Sequence, residues 1–311
     1  MIAGLIGRWL AAGELELPLP GSGATAQRWR RLAALAQDDL VAGRLAEAYT
    51  DAVAILAELG GPDPKPDQLW GVWAAESRGA MLRARTENGE ATLDGVKVWC
   101  SGVSLCTHAL VTARLDSGER GLFAVELSRT RALPSTWRNP GMAETDTRSV
   151  GFDGVPAVAV GAPGEYLTRP GFWHGAIGVS ACWLGGAGAV AEPLYAAAAD
   201  ASPDPHTLAH LGAVDAALAA AKALLTSAAA EVDRDPLDVS GTAELLARRA
   251  RPVVETAVDE AITRTGRALG PAPLCLDADH ARRVADLTVY VRQSHAERDL
   301  HRLGELAGAA R

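Results

Sequence analysis

The middle of the chain consists of short predicted strands separated by turn dipeptides, and this pattern constrains the fold more than any other feature. Stretches such as ATLDGVKVWCSG and GLFAVEL alternate with the dipeptides Asn88-Gly89, Asp94-Gly95, Ser117-Gly118 and Asp153-Gly154. Such pairs between two β-type runs are typical of hairpin turns. The spacing predicts an antiparallel barrel or sandwich and disfavours a parallel nucleotide-binding sheet.

Helical sequence lies on both sides of this region. Residues 25–60 carry apolar positions at helical spacing and stop at Gly60-Gly61. After the strands come four alanine-rich candidate helices, at 171–200, 205–233, 239–269 and 277–307. Four helices of similar length with short connections predict a four-helix bundle. We therefore expect an α+β protein of three parts: a short N-terminal helical region (1–66), a β domain (67–168) and a C-terminal helical bundle (169–311).

Composition excludes several classes of partner and location. The 311 residues carry a formal net charge of -8 and no basic run, so nucleic acid is not an expected partner. Four scattered cysteines without a CxxC pair or zinc spacing predict no metal site. The first residues are a poor signal peptide, and the uncharged segment 175–191 is too short and too rich in glycine and alanine to span a bilayer. We expect a cytoplasmic protein without membrane insertion.

Two sequence words in the β region bear on chemistry. In DGVKVWCSG, residues 94–102, strand alternation places Trp99 and Ser101 on one face. There an indole offers stacking area and a hydroxyl offers a hydrogen-bond donor. The second word is GMAETDTR at residues 141–148, followed by FDGVP at residues 152–156. A core tryptophan beside a surface serine is the plainer interpretation of the first word.

These words, in this order between two helical regions, resemble the acyl-CoA dehydrogenase family. The first is similar to the family's G-x-K-x-W-I-T strand, and the second is similar to its G-M-R-G-x-D-T-R…F-D-x-V-P segment. A third stretch, GVWAAE at residues 71–76, is placed like the family's V-T-E-P loop. The region before the β domain is shorter than usual, so the chain looks like a short, divergent member of the family.

The resemblance implies a flavoprotein that binds FAD and dehydrogenates an acyl thioester such as an acyl-CoA. Trp99 would lie against the flavin ring, and Ser101 would hydrogen-bond near its N5 atom. Backbone groups of Ala74 and Ala75 would contact the flavin, and Arg267 would pair with a phosphate. The family also implies a homodimer or homotetramer assembled through the bundle, with an electron-transfer protein as acceptor.

The family's catalytic glutamate has no counterpart at either of its usual places, because residues 172–176 and 291–295 contain no acid. His174 and His295 are the candidate substitutes, since imidazole titrates near neutral pH. The plainer interpretation is that both are ordinary helix residues, with His295 paired to Asp299. The missing glutamate leaves two alternatives open: a flavin-dependent oxidase or monooxygenase on the same fold, and a binding or assembly protein without turnover.

Two further segments bear on the cofactor. Residues 198–207, AADASPDPHT, lack the R-x-x-F-G motif that binds the FAD pyrophosphate in the family. Residues 184–191 contain GxGxxA, a dinucleotide fingerprint, but helical sequence continues past it and no strand follows. We interpret its small residues as the place where two helices approach closely.

Overall fold

A computed structural model describes residues 2–77, 79–87 and 90–309. Contacts within it divide the chain into two compact units. The first comprises Met1–Leu17, Leu45–Arg138 and Ala143–Phe172, and the second comprises Pro18–Arg44, Asn139–Met142 and Trp173–Arg311. The predicted turn at Asn88-Gly89 lies outside the described residues, and the division into three domains stays a prediction. The turns predicted at Asp94-Gly95 and Asp153-Gly154 are wrong, because both dipeptides lie inside strands, Glu90–Cys100 and Arg148–Val160. Both glycines have a positive φ, and they lie where the pairing of these two strands shifts register, so they form a bulge and not a hairpin turn.

Helices precede and follow the strands along the chain, as the sequence predicts. The first three are α1 (Ile2–Ala11), α2 (Thr25–Asp38) and α3 (Leu40–Leu59). The strands are β1 (Trp70–Trp73), β2 (Leu82–Glu87), β3 (Glu90–Cys100), β4 (His108–Arg114), β5 (Arg120–Glu126), β6 (Arg131–Ala132) and β7 (Arg148–Val160). The remaining helices are α4 (Glu165–Thr168), α5 (Pro170–Ala198), α6 (Pro205–Arg234), α7 (Ala243–Leu269), α8 (Ala272–Leu276), α9 (Ala278–Tyr290) and α10 (Glu297–Ala309).

The strands of the first unit form one sheet whose pairings close into a ring. The antiparallel pairs β2–β3, β3–β7, β7–β5 and β5–β4 are completed by a parallel contact of β2 with β4, at Arg83 and Arg114. β1 pairs with β4 in parallel, so the expectation of a purely antiparallel domain is corrected to a mixed sheet. β1 enters from α3 and not from a hairpin, and therefore no tight turn forces it to run antiparallel to its neighbour.

Two apolar clusters cover the two faces of β4 and β5. The cluster inside the ring includes Trp73, Leu93, Val111, Phe123 and Val150. On the opposite face, Leu110 and Leu122 pack with Ile55 and Leu56 of α3. Leu110 and Val111 are chain neighbours that point into different clusters, as alternation in a strand requires. Burial on both faces explains the nearly continuous apolar sequence of β4.

The second unit is mainly helical. α6 packs against α7, while α2 contacts α6 and α10 contacts α7. Asp204 is the N-cap of α6, and its side chain accepts hydrogen bonds from the backbone N–H groups of His206 and Thr207. α5 is buried on most sides, and its fully buried side chains include Ile177, Ala181, Cys182, Trp183, Ala187 and Leu194.

Close helix contact at the GxGxxA segment is confirmed. A Cβ added to Gly185 would stand 2.0 Å from the carbonyl oxygen of Ala33 in α2. A Cβ added to Gly186 would meet Leu40 at 2.9 Å and Leu287 at 3.0 Å. Only glycine permits such approach of another backbone, so these residues serve helix packing.

Both α5 and α6 are long and apolar enough to cross a membrane by length and composition alone. In the most apolar window of α5, 72% is buried inside the protein, whereas in that of α6 only 17% is buried. Burial accounts for the apolar sequence of α5 as a core helix. The apolar sequence of α6 has no such explanation within this chain.

The predicted helix 277–307 is wrong as one element, because it divides into α9 and α10. A 3₁₀ turn at Val291–Gln293 follows α9, and Ser294 is extended. Ala296 has a φ of 46°, which an α-helix does not allow. The Asp299 carboxylate accepts a hydrogen bond from the backbone N–H of His295 and so caps the new helix.

Candidate functional site

Trp99 stands out from the end of β3 in a strained conformation. Its φ is 59°, in the left-handed region that bulky residues rarely adopt, and its side chain is 59% exposed. The β3–β7 register shifts between Lys97 and Cys100, so this bulge breaks the alternation assumed for an uninterrupted strand. The Trp137 ring meets Trp99 edge to face, with 6.2 Å between ring centroids. An exposed aromatic held in a strained backbone is typical of a ligand site.

Ser101 lies just past the end of β3 and is fixed from two directions. Its carbonyl oxygen accepts a hydrogen bond of 2.9 Å from the indole nitrogen of Trp73. Its hydroxyl lies 2.9 Å from that of Thr147, which lies 2.8 Å from the hydroxyl of Thr145. Three hydroxyls therefore form a connected row that ends at Ser101, two residues from the exposed indole of Trp99.

The loop before β7 supplies two of these three hydroxyls, those of Thr145 and Thr147, and its backbone is held tightly. Asp146 has a φ of 46°, and its carboxylate accepts hydrogen bonds from Arg148 and from the backbone N–H of Ser104. The backbone N–H of Gly102 donates to the Thr145 carbonyl at 2.7 Å. The Asp-Thr-Arg motif at residues 146–148 thus has a structural basis. Asp146 and Arg148 fix the loop, and Thr147 contacts Ser101.

Lys97, inside the first sequence word, is buried at 3% exposure. Its ammonium group donates to the carbonyl and hydroxyl oxygens of Thr112 at 2.9 and 2.7 Å, and to Glu76 at 3.2 Å. Burial lowers the pKa of Lys97, and the nearby Glu76 carboxylate opposes this shift. These acceptors match the three hydrogens of the ammonium, so Lys97 ties β3 to β4 and to the segment after β1.

Ala74 and Ala75 lie in that segment after β1. The Ala74 carbonyl accepts a hydrogen bond from the Thr112 hydroxyl at 3.3 Å, and Ala75 is exposed. Thr112 therefore links the Ala74 backbone to Lys97 of β3. Sequence reasoning assigned no role to Lys97, Thr112, Thr145 or Thr147. A lysine on the buried face of a strand and the threonines of the GMAETDTR word were the available signals.

The predicted site residues of the second unit lie on three different elements. His174 is buried near the N-terminal end of α5. His295 precedes α10, is largely exposed, and has its Nδ1 3.6 Å from a carboxylate oxygen of Asp299. Arg267 is exposed in the last turn of α7. Asp299 also accepts a hydrogen bond from Arg248 at 2.9 Å, so the predicted His295–Asp299 pair is part of a surface network.

A cavity of about 320 Å³ lies among α2, α5 and α6 of the second unit. Trp29, Ala33, Gly185 and Leu225 contribute to its apolar walls, and Arg30 and Lys222 also line it. None of the predicted site residues lines this cavity. Across the described residues, no group of three or more histidine, cysteine, aspartate or glutamate side chains is arranged to hold a metal ion.

No protein-family model and no curated protein sequence matches the chain. Solved structures do match it. TdsC from Paenibacillus sp. A11-2, in complex with FMN and indole, has a TM-score of 0.81 at 18% identity, over 92% of this chain and 84% of that one. KijD3, in complex with FMN and a dTDP-linked amino sugar, has a TM-score of 0.78 at 18% identity, covering 98% and 86%.

The methanesulfinate monooxygenase MsuC from Pseudomonas fluorescens is a further similar structure. It has a TM-score of 0.76 at 17% identity, over 98% of this chain and 95% of that one. At such low identity these likenesses are evidence about the fold. They confirm the resemblance that the two motifs carried, because the chain has an acyl-CoA dehydrogenase-like fold with a sheet and a helical C-terminal region.

Proposed function

We propose that the protein is a flavin-dependent monooxygenase or oxidase acting on a small molecule. The observation that carries the proposal is the strained, exposed Trp99 beside the Ser101 hydroxyl, on the fold that TdsC and KijD3 use with FMN. TdsC is a dibenzothiophene monooxygenase, and MsuC is a methanesulfinate monooxygenase. Their chemistry supports the alternative of a flavin-dependent oxidase or monooxygenase better than it supports acyl-CoA dehydrogenation.

FMN is the flavin that the proposal assigns, in place of the FAD first expected. FAD carries a pyrophosphate, and the family word that grips it is missing from residues 198–207. That connection has Asp200 and Asp204 and neither lysine nor arginine, so it offers no guanidinium or ammonium group for a pyrophosphate. FMN needs a partner for a single phosphate only, and the assignment of Arg267 to a cofactor phosphate stays a prediction.

The residues of the first unit fit a flavin ring. The Trp99 indole offers an accessible flat face, and Ser101 offers a hydroxyl that can both donate and accept. The exposed backbone at Ala75, next to Ala74, offers peptide groups for the polar edge of the ring. When bound and reduced, the flavin would supply the electrons for oxygen chemistry, while these residues hold and orient it.

The absence of a carboxylate at residues 172–176 and 291–295 favours oxygen chemistry over dehydrogenation. Removing an α-proton from an acyl thioester requires a base at the substrate carbon. His174, buried in α5, and His295, exposed beside Asp299, remain the proposed proton carriers. A binding protein without turnover is the second candidate, since the same missing glutamate motivates it.

The first experiment measures flavin binding and oxygen insertion. Purified protein is titrated with FMN and with FAD while flavin fluorescence is recorded, and we expect tighter binding of FMN. Protein with photoreduced FMN is then given ¹⁸O₂ and either indole or dibenzothiophene, and products are analysed by mass spectrometry. Incorporation of ¹⁸O above a no-protein control supports a monooxygenase.

Each other outcome points to a different function. Failure to bind either flavin would contradict the proposal and leave a binding protein. Bleaching of bound flavin by an acyl-CoA under anaerobic conditions would instead support a dehydrogenase with a histidine base. Bound flavin whose reoxidation yields hydrogen peroxide from all of the oxygen would support an oxidase.

For the assembly of the protein, we propose that α5, α6, α7 and α9 form a four-helix bundle and that the protein is a cytoplasmic homodimer or homotetramer. Support comes from α6, where Leu208 and the alanines 216, 220 and 223 are exposed. An apolar helix face of this extent is typical of a subunit interface.

A further inference from the structure

The cavity among α2, α5 and α6 has mainly apolar walls, and all of its lining residues belong to the second unit. The α2 residues that line it, among them Trp29 and Ala33, recur at spacings of three and four residues, which places them on one helix face. Leu184 of α5 and Leu225 of α6 face the same space. Its volume of about 320 Å³ lies at the lower end of the range of roughly 300–1,000 Å³ for small-molecule sites.

Small residues and fixed helix contacts leave this space open. Gly185 of α5 lies directly against the Ala33 backbone of α2. At the start of α2, the backbone N–H of Thr25 donates to the Asp233 carboxylate of α6 at 3.1 Å. The side chains of Ala33 and Ala34 are too short to fill the space beside these contacts. An apolar group that displaces water from such walls gains free energy.

Two cations border this apolar space. Arg30 of α2 and Lys222 of α6 line the cavity, and no described aspartate or glutamate lines it. Within the described chain, neither side chain forms a hydrogen bond or an ion pair. Lys222 is the only charged residue between Asp215 and Glu231. In a chain with a formal net charge of -8, two unpaired cations at one apolar cavity favour an anionic ligand.

We propose that this cavity binds a small amphipathic anion, a carboxylic acid with a compact apolar body. Arg30 and Lys222 hold the carboxylate, and the apolar body lies against Trp29, Leu184 and Leu225. A guanidinium pairs with a carboxylate through two parallel hydrogen bonds, and the lysine ammonium adds a second positive charge. The site lies in the second unit and does not depend on the proposed flavin function.

Isothermal titration of the full chain compares three probes. Octanoate has both parts of the proposed ligand, 1-octanol keeps the apolar body without the charge, and acetate keeps the charge with almost no body. We expect saturable binding of one octanoate per chain. We expect 1-octanol and acetate to bind at least about tenfold more weakly, because each lacks one of the two interactions. Octanoate binding should also weaken as ionic strength rises, since both cations are exposed.

Charge-removing variants test the two cations. Arg30→Gln and Lys222→Gln keep a polar side chain of good helix propensity. Each should weaken octanoate binding by about five- to tenfold, because a hydrogen bond to a charged group is lost at a site partly screened by water. Arg249→Gln is the matched control, since Arg249 is an exposed arginine of the same unit that does not line the cavity. It should leave octanoate binding unchanged.

A filling variant tests the cavity itself. Ala34 lines the cavity at an exposed position of α2, so Ala34→Leu enlarges a wall residue while helix propensity changes little. It should abolish octanoate binding and leave the melting temperature near that of the wild-type protein.

Four results would overturn the proposal. The first is the absence of saturable octanoate binding to wild-type protein. The second is binding of 1-octanol as tight as that of octanoate, which would leave an apolar surface without a role for the cations. The third is an equal loss of affinity in Arg249→Gln, which would indicate a general charge effect. The fourth is unchanged octanoate binding in a folded Ala34→Leu variant, which would place the ligand elsewhere.

Discussion

At the scale of single residues, Trp99 has a backbone conformation that is unfavourable for a bulky side chain, and the surrounding structure stabilises it. A bulky residue in the left-handed region costs on the order of 1–3 kcal/mol. The β3–β7 bulge, the buried Lys97 before it and the Cys100 pairing with Arg148 after it hold this conformation. The indole contributes little to the core, since 59% of it is exposed. Its contribution is therefore expected in ligand binding.

Trp99→Ala should weaken FMN binding by about 1–3 kcal/mol, the range for losing an aromatic stacking partner. Thermal stability should change little, because the side chain is mostly exposed. Isothermal titration with FMN and a melting curve measure the two effects. Trp99→Phe, which keeps a ring, should retain most of the affinity. A large loss of stability with unchanged FMN affinity would make Trp99 an ordinary structural residue.

At the scale of elements, the Lys97 ammonium joins β3, β4 and the segment after β1. Lys97→Met removes the three hydrogen bonds that the ammonium group donates to Thr112 and Glu76. We expect a loss of about 1–3 kcal/mol in the free energy of unfolding. Lys65→Met, at an exposed lysine, is the matched control and should change it little.

The difference between wild type and Lys97→Met should also depend on pH. Burial lowers the folded-state pKa of Lys97 below the value of 10.5 that it has unperturbed. Between these two pKa values the unfolded chain binds the extra proton and the folded protein does not, so wild-type stability gains as pH rises through that window. Urea unfolding from pH 7 to pH 10 should show the wild-type advantage growing. A constant or shrinking advantage would contradict the direction of the pKa shift.

At the scale of the whole molecule, the apolar face of α6 bears on assembly. A carboxylate in a buried interface is costly, so Ala220→Glu should dissociate the proposed oligomer while helix propensity changes little. Ala201→Glu adds the same charge in the exposed connection before α6 and should leave assembly intact. Sedimentation velocity at micromolar concentration compares the three proteins. A wild-type monomer would contradict the proposed assembly.

The sequence by itself determined the order of helical and strand regions, because apolar periodicity is a local signal and a dipeptide such as Ser117-Gly118 does form a turn between two strands. The fold was predicted from the family resemblance that the two motifs carry, one at the end of β3 and one in the loop that leads into β7. It also identified the close helix contact at Gly185 and Gly186, since small residues in an uncharged helix have few other uses. What it missed depends on contacts between residues distant in the chain. The parallel placement of β1 depends on its pairing with β4. The bulge that turns Trp99 outward and the link of Ser101 to Thr147, 46 positions away, arise only when β3 and β7 pair. The break between α9 and α10 likewise required the capping geometry of Asp299, because helical periodicity continues through Ser294–Ala296 and only the folded backbone shows where the hydrogen bonds stop.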